Sequence, residues 1–311
     1  MEHSTAHRSS WGRALVAGAA ALGTALALAA AVAPPAAAHS QPRPADSRAV
    51  DYVALGDSLA SGPGIPQQVD ANCRRSSSNY PSLVAAELPA RVTDVSCSGA
   101  TTANMTGPQG TAGPQFDALS RTTDLVTISI GVNDIGINGA GFTSIIGTCA
   151  KLTSSDPAGS PCKAFLGASG SDQLLTNIAG AAPKIATTLA GIHQRAPYAK
   201  VMVIGYPDLF PDNGVGCTSA AVPLAAGDFG YLRDSEKALN AMLTRQAEQA
   251  GATYVDTYTP TIGHDMCQPE GVRWIEPIVP ASPTIAPAHP NESGHQAMAA
   301  AVEGQLHHHC H

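Results

Sequence analysis

The chain has 311 residues, of which 44% are hydrophobic and 13% are charged, so it can bury a full core and is not a disordered polymer. Its formal net charge of −7 and its pI near 5.8 argue against a nucleic-acid-binding protein, because phosphate recognition needs clustered basic side chains. The aromatic content of 5% also disfavours a surface that stacks on bases.

The N-terminal segment has the pattern of a secretory signal peptide. Arg8 and Arg13 precede an almost uninterrupted apolar stretch over residues 14–33, and a run of alanines ends at Ala38. A basic start, an apolar middle and a small-x-small end predict a cleaved signal over residues 1–38 and a secreted, extracellular protein. The stretch is also long enough for a membrane anchor, but its alanine-rich composition favours the signal. We expect no stable membrane anchor after cleavage.

The rest of the chain is expected to form one domain, because no repeat or linker divides it. Residues 39–48 are rich in Pro, Ser and charge and predict a flexible leader. The domain is predicted over residues 49–305, and residues 306–311 form a histidine-rich tail.

Short apolar segments alternate with helical patterns along this domain. The predicted strands are 49–56, Arg91–Ser96, Leu125–Ile130, Lys200–Ile204 and Thr253–Asp256. The predicted helices are Tyr80–Leu88, Asp172–Arg195, Asp228–Ala250 and Asn291–Val302. Residues 139–170, 206–227 and 259–288 are expected to be long loops. Alternating strands and helices indicate an α/β fold, a three-layer α/β/α sandwich with a central parallel sheet.

Export determines how the cysteines are interpreted. In an oxidising compartment the first six of the seven cysteines are expected to form three disulfides, although the sequence leaves their pairing open. We favour the sequential pairing Cys73–Cys97, Cys149–Cys162 and Cys217–Cys267. Cys310 is left over in the tail.

Candidate active-site residues follow the predicted strands. Ser58 follows the first strand, Gly99 the second and Asn133 the third, and His289 precedes the last helix. Because sites in parallel sheets form outside the carboxyl ends of the strands, we expect these residues to lie close together.

Each of these residue types fits a role in acyl transfer. A serine hydroxyl becomes a nucleophile when a base accepts its proton, so Ser58 and His289 are the expected catalytic residues. The backbone N–H groups of Ser58 and Gly99 and the Asn133 amide are the expected oxyanion hole. Ser58 as an N-cap serine and Asn133 as a turn residue are the structural alternatives. There is no Gly-x-Ser-x-Gly elbow, which argues against the α/β-hydrolase fold.

Several other polar residues are interpreted as structural. Asp57 and Asp134 are expected to brace loops, and His295 is expected to pack on the last helix. The segment from His264 to Cys267 could suggest a metal, but a thiol committed to a disulfide cannot be a ligand. We expect no metal and no cofactor.

The chain resembles the SGNH (GDSL) hydrolase family in four sequence blocks, in this order: Gly56-Asp57-Ser58, Gly99, Gly131-x-Asn133-Asp134 and His289. The resemblance covers residues 50–303. Within the family, the chain most resembles the secreted actinobacterial lipases and esterases, which have a similar cysteine distribution and a His-Pro-Asn…Gly-His ending. The resemblance implies a flavodoxin-like sheet and hydrolysis of carboxylic esters without a cofactor, and it supports the sequential disulfide pairing.

One position departs from the family pattern. The family usually has an aspartate three residues before the catalytic histidine, and here Ala286 stands there. Some members with this ending resemble a Ser–His dyad in which a main-chain carbonyl accepts from the histidine Nδ1. We therefore predict that the Ala286 carbonyl, or one beside it, orients His289. Asp256 or Asp265, brought in by a loop, is the alternative.

The leading hypothesis is a secreted, monomeric serine ester hydrolase (lipase or esterase) that forms an acyl-enzyme on Ser58. Its substrate would be a small-molecule or lipid acyl ester. Leu59, Ile65, Ile135 and Ile137 suggest an apolar groove near the serine, which favours lipids. The alternatives are a carbohydrate acetylesterase and a non-catalytic secreted binding protein on an SGNH scaffold, the latter supported by the missing aspartate.

Overall fold

The computed structural model describes residues 48–307. The predicted signal peptide, all but the last residue of the predicted leader, and residues 308–311 of the tail with Cys310 lie outside the described residues. Across 48–307, no helix has both the length and the apolar character needed to cross a membrane.

The strands within this range are β1 (Val50–Gly56), β2 (Gln68–Asp70), β3 (Arg75–Ser76), β4 (Ala90–Asp94), β5 (Leu125–Ser129), β6 (Lys200–Ile204) and β7 (Thr253–Val255). The α-helices are α1 (Ser58–Ser61), α2 (Tyr80–Glu87), α3 (Phe142–Leu152), α4 (Pro161–Leu166), α5 (Gln173–Arg195), α6 (Asp228–Gln249) and α7 (Glu292–His307). Short 3₁₀ turns occur at Thr102–Met105, Gln115–Ala118, Val132–Ile135, Ile137–Gly139, Thr153–Ser155 and Thr259–Thr261.

The central sheet has five parallel strands in the order β4-β1-β5-β6-β7. This is the flavodoxin-like arrangement, in which the chain turns back across its first strand. Every residue of β5 is buried, which requires helices on both faces of the sheet. Helix α2 packs against α7, and α5 packs against α6. The predicted α/β three-layer fold is therefore confirmed.

Helices α2 and α5 begin at residues whose side chains satisfy free backbone N–H groups. The Asn79 side chain accepts from the backbone N–H of Ser82 at the start of α2, and Asp172 accepts from Leu175 at the start of α5. Helix α7 continues past the predicted end at Val302 and into the segment predicted as tail.

One predicted loop was wrong, because residues 139–170 contain α3 and α4. Their Gly, Ser and Pro content obscures a helical face on which Ile145, Ile146 and Cys149 are buried. The small antiparallel pair formed by β2 and β3 was also missed. The other two predicted loops are largely irregular, as expected.

The structure contains the three disulfides Cys73–Cys97, Cys149–Cys162 and Cys217–Cys267, which is the sequential pairing. The second joins α3 to α4 across a sequence separation of 13, where loop closure stabilises the fold by about 3 kcal/mol in the chain-entropy model. The third joins the two long irregular segments.

Candidate active site

Three of the predicted site residues emerge from neighbouring strands. Ser58 follows β1, Gly99 follows β4 and Asn133 follows β5, and β1 lies between the other two strands in the sheet. All three strands are parallel, so the residues come together at the same carboxyl edge. The Asn133 side-chain amide donates to the carbonyl of Ala100 at 3.0 Å, which joins the loops after β5 and β4 directly.

Ser58 is the first residue of the single-turn helix α1. The Asp57 carboxylate caps this turn by accepting from the backbone N–H of Leu59 at 2.9 Å. Gly62, in the left-handed conformation with φ +72°, closes the turn through its N–H bond to the Ser58 carbonyl. The Ser58 backbone N–H has no acceptor among the described residues, as expected for the first position of a helix.

Asp57 is structural, as expected, and it forms part of a buried bridge between two loops. Its carboxylate accepts from the Tyr206 hydroxyl at 2.8 Å, and that hydroxyl accepts from the backbone N–H of Val132 at 3.0 Å. The bridge thus fixes the turn that carries Ser58 against the turn that carries Asn133. Burial raises the pKa of Asp57 to about 7, although the bonds from Leu59 and Tyr206 act in the opposite direction.

Tyr206 was not predicted from the sequence, although a signal existed. It follows β6 at the same edge of the sheet, so the rule that identified the other residues also applies to it. Its backbone is held by the Asn240 side chain, which accepts from its N–H and donates to its carbonyl, both at 2.9 Å. Gln115 holds Gly56 in the same way, with bonds of 2.7 and 2.8 Å.

Gly99 has φ +83°, a left-handed conformation that favours glycine. The Cys73–Cys97 disulfide lies two residues before it and fixes the loop. Gly99 is exposed, and within residues 48–307 its backbone N–H donates to no protein acceptor. The loop therefore presents a free N–H donor beside Ser58 and Asn133.

Asp134 braces the loop after β5, as expected. Its carboxylate accepts from the backbone N–H of Thr102 at 3.0 Å and from the Thr102 hydroxyl at 2.6 Å. The Lys184 ammonium lies 3.7 Å from the same carboxylate. These contacts hold the turn Val132–Ile135 against the turn Thr102–Met105.

His289 lies in the loop before α7, and the carbonyl that contacts its ring is that of Pro287. The Nδ1–O distance is 2.7 Å, so the contact comes from the carbonyl beside Ala286, which the prediction also allowed, and not from Ala286 itself. Ala288 adopts φ +55°, which turns the chain so that the Pro287 carbonyl meets the ring. The Ala286 backbone packs instead against Gly64, so closely that a Cβ at position 64 would lie 2.4 Å from the Ala286 nitrogen.

The two alternative carboxylates do not contact His289. Asp256 accepts from the backbone N–H groups of Tyr258 and Thr259, and Asp265 accepts from Cys267 and Gln268. The loop itself is fixed by the backbone N–H of Glu276, which donates to the His289 carbonyl at 2.9 Å.

The surroundings of the His289 ring favour its neutral form. Burial lowers its pKa below the ordinary histidine value, Arg74 adds to this effect, and the bond to Pro287 opposes it. A neutral ring that donates from Nδ1 to a carbonyl leaves Nε2 free to accept a proton. No hydrogen bond joins the Ser58 hydroxyl to His289 in this part of the chain, although such bonds are often long in unliganded sites.

The second histidine of this region is a packing residue, as expected. His295 is fully buried, and its Nδ1 accepts from the backbone N–H of Tyr80 at 3.2 Å. Burial, with a smaller contribution from His289, lowers the pKa of His295 to about 3, so the ring stays neutral. A Cβ placed on Gly62 would lie 3.2 Å from its Nε2, so His295 connects α7, α2 and the end of the Ser58 turn.

The segment around His264 has no sign of a metal site. The His264 ring stacks on Trp274 with centroids 3.5 Å apart, and its Nδ1 meets the Val272 carbonyl at 2.6 Å. Cys267 is committed to its disulfide with Cys217. In the described range, no three His, Cys, Asp or Glu side chains are grouped as a metal ion would require.

Three of the four residues suggested for an apolar groove near Ser58 do not line one, and the fourth, Ile137, is half-buried. Leu59, Ile65 and Ile135 are each at least 95% buried, because they face the core rather than the rim. Ile135 lines an enclosed apolar cavity of about 20 Å³, which is too small for an acyl chain.

Comparisons with known proteins identify the family of the chain. Residues 54–297 match the GDSL-like Lipase/Acylhydrolase family. The chain is 42% identical to Lipase 2 of Streptomyces coelicolor over 84% of this chain and 87% of that protein, and 32% identical to a lipase of Streptomyces rimosus over 83% and 86%.

Solved structures of the same group are also similar. Phospholipase A1 from Streptomyces albidoflavus superposes with a TM-score of 0.68 at 27% identity, covering 83% of this chain and 99% of that one. The extracellular lipase of Streptomyces rimosus gives a TM-score of 0.63 at 28% identity, covering 82% and 99%. With matches over most of its described length, the chain belongs to the GDSL-like lipase/acylhydrolase family and is a carboxylic ester hydrolase.

Proposed function

We propose that the chain is a secreted lipase or esterase in which Ser58 is the nucleophile and His289 the general base. The observation that supports this most strongly is the convergence of Ser58, Gly99 and Asn133 from three adjacent strand ends, with two free backbone N–H groups. A nucleophile with donors on one side is the arrangement that acyl transfer needs.

In the proposed mechanism the Ser58 hydroxyl attacks the ester carbonyl carbon while His289 Nε2 accepts the hydroxyl proton. The N–H groups of Ser58 and Gly99 and the second amide hydrogen of Asn133 stabilise the oxyanion. His289 then donates that proton to the departing alcohol, which leaves an acyl ester on Ser58. Water attacks this ester by the same route, and the acid and free Ser58 are released.

The Pro287 carbonyl is proposed to orient His289 in place of a carboxylate. It accepts from Nδ1 at 2.7 Å and so selects the tautomer with a free Nε2. A neutral carbonyl stabilises the imidazolium less than a buried aspartate would, so turnover is expected to be modest. The mechanism needs no metal or cofactor.

Lipid acyl esters are the proposed substrates, because the similar proteins include lipases and a phospholipase A1. We also propose that residues 1–38 are removed on export and residues 39–48 form the leader. The mature enzyme would be a monomer built on the domain 49–305, with 306–311 as tail. Carbohydrate acetylesterase activity is the alternative.

The test is hydrolysis of p-nitrophenyl esters from C2 to C16 by the mature protein, Ser58→Ala and the control Ser61→Ala. Ser61 lies in the same turn and its buried hydroxyl has no partner among the described residues, so its loss should matter little. We expect Ser58→Ala to lose nearly all turnover and Ser61→Ala to keep it. Full activity in Ser58→Ala would contradict the proposal, and an optimum at C2 would favour the acetylesterase.

A further inference from the structure

A groove of about 890 Å³ lies beside Asn133, between the turn Thr102–Met105 and one face of α5. We call it the α5 groove, and the residues that define it here are Thr102, Phe116, Asn133, Lys184, Thr188 and Arg195. It begins at the proposed oxyanion donor and runs away from it along the helix. None of the roles discussed above uses it.

The charge of the α5 groove is opposite to that of the chain. Lys184 and Arg195 are the cations among its lining residues, and Asp134 is the carboxylate, whereas the whole chain has a formal charge of −7. Two bonds from Thr102 already occupy the Asp134 carboxylate. Lys184 forms a long ion pair of 3.7 Å with that carboxylate, and its side chain is 54% exposed, so the ammonium keeps hydrogens that can bind an anion in the groove.

The other lining groups suit an anionic ligand better than a sugar. Three of its threonine hydroxyls already donate to protein acceptors. The hydroxyls of Thr106 and Thr188 and the Gln194 amide have no partner among the described residues, so they can donate to phosphate oxygens. Sugar sites usually need an open aromatic face, but Phe116 is 4% exposed and its ring lies 4.6 Å beneath the Arg195 guanidinium. The groove therefore lacks an accessible aromatic face among its lining residues.

The position of Lys184 determines which part of a substrate it meets. It contacts Asp134, the neighbour of Asn133, so an anion bound there lies close to the reacting ester. Arg195 stands eleven residues further along the helix, about 16 Å away at 1.5 Å per residue. A phosphodiester separated from the ester by a short glycerol link would reach Lys184 and not Arg195.

We propose that the α5 groove binds the phosphodiester of a glycerophospholipid substrate, with Lys184 as its charged contact. This inference rests on the proposed function, because it assigns the groove to a substrate whose ester is cleaved at Ser58. It makes Lys184 a residue that determines substrate specificity. Thr106 and Thr188 supply neutral donors on the two walls.

The test compares phosphatidylglycerol with the diacylglycerol of the same acyl chains, both dispersed in the same uncharged detergent micelles. The measured quantity is the ratio of kcat/KM for the two substrates. We expect this ratio to fall about fivefold in Lys184→Met and about tenfold in Lys184→Glu, and to be restored in Lys184→Arg. The ratio in the wild type should also fall as salt is added, and less so in Lys184→Met.

The control is Lys151→Met, an exposed lysine on α3 that does not line the groove, and its ratio should equal that of the wild type. An unchanged ratio in Lys184→Met and Lys184→Glu would overturn the proposal, as would equal loss on both lipids. Ser58→Ala is measured alongside on p-nitrophenyl esters. If that variant keeps full turnover, the proposed function fails; if Ser58-dependent turnover is intact and only the ratio is unchanged, the groove assignment alone fails.

Discussion

The Tyr206 hydroxyl is the contact whose removal tests how the two catalytic turns are held together. Tyr206→Phe leaves the Asp57 carboxylate and the Val132 N–H without their partner, and both groups are buried. Each unsatisfied buried group costs about 1–3 kcal/mol, so we expect the free energy of unfolding to fall by about 2–6 kcal/mol.

The same substitution should affect catalysis more than substrate binding. Val132 precedes Asn133, so loss of the bridge frees the proposed oxyanion donor to move relative to Ser58. A displacement on the order of 1 Å can lower a rate about 100-fold. We therefore expect kcat on p-nitrophenyl esters to fall about 10- to 100-fold, with KM within about twofold of the wild type. The pKa of Asp57 should rise above about 7, because the Tyr206 bond lowers it.

Tyr52→Phe is the matched control for this experiment. The Tyr52 hydroxyl is also buried and lies 2.8 Å from the Thr127 hydroxyl, but it is nearer the amino end of β1 and away from the site. Urea unfolding should show a loss of stability in both variants, and only Tyr206→Phe should lose kcat. Equal kcat in the two variants would refute the role of the bridge.

Three further predictions follow from the same geometry. The acid limb of the kcat/KM profile should have its midpoint below about 6.5, because His289 must be neutral to act as a base and burial lowers its pKa. A midpoint at or above this ordinary histidine value would contradict the assignment of His289 as the base. Glu236→Gln should remove part of a stability loss that the wild type shows in urea titrations as the pH rises above 4.5, the ordinary pKa of a glutamate. Burial raises the Glu236 pKa, so the folded state binds the proton more tightly than the unfolded chain and stability falls as pH rises. Gly99→Ala should fold, because a Cβ at this position meets only the Gln109 side chain, at 3.7 Å. Strain at φ +83° should nevertheless displace the Gly99 N–H and lower kcat at least about tenfold. An unchanged kcat would exclude that N–H from the oxyanion hole.

The central strands β1, β5 and β6 could be predicted from the sequence because they are buried on both faces. The segment Leu125–Ser129 is fully buried and reads as a continuous β-branched and apolar run, so its pattern was unambiguous. The residues after the strands could then be placed at one edge by topology alone. Helices α3 and α4 were missed because Gly, Ser and Pro dilute the few buried side chains that define their faces.

The finer features of the site depend on tertiary contacts that no local pattern encodes. The carbonyl that meets His289 is set by the backbone at Ala288, a non-glycine residue with positive φ. Tyr206 reaches Asp57 across a sequence separation of 149 residues, and Lys184 reaches Asp134 from the opposite wall of the groove. Only the folded chain brings these groups together.

The most direct test of the central claim is to label the mature protein with a fluorophosphonate and locate the adduct by peptide mass spectrometry. Attack by an activated serine forms a covalent phosphonyl ester and releases fluoride. We predict one adduct, on the peptide that contains Ser58, and none in Ser58→Ala, while Ser61→Ala labels normally. An adduct on another residue, or equal labelling of Ser58→Ala, would contradict the assignment of Ser58 as the nucleophile.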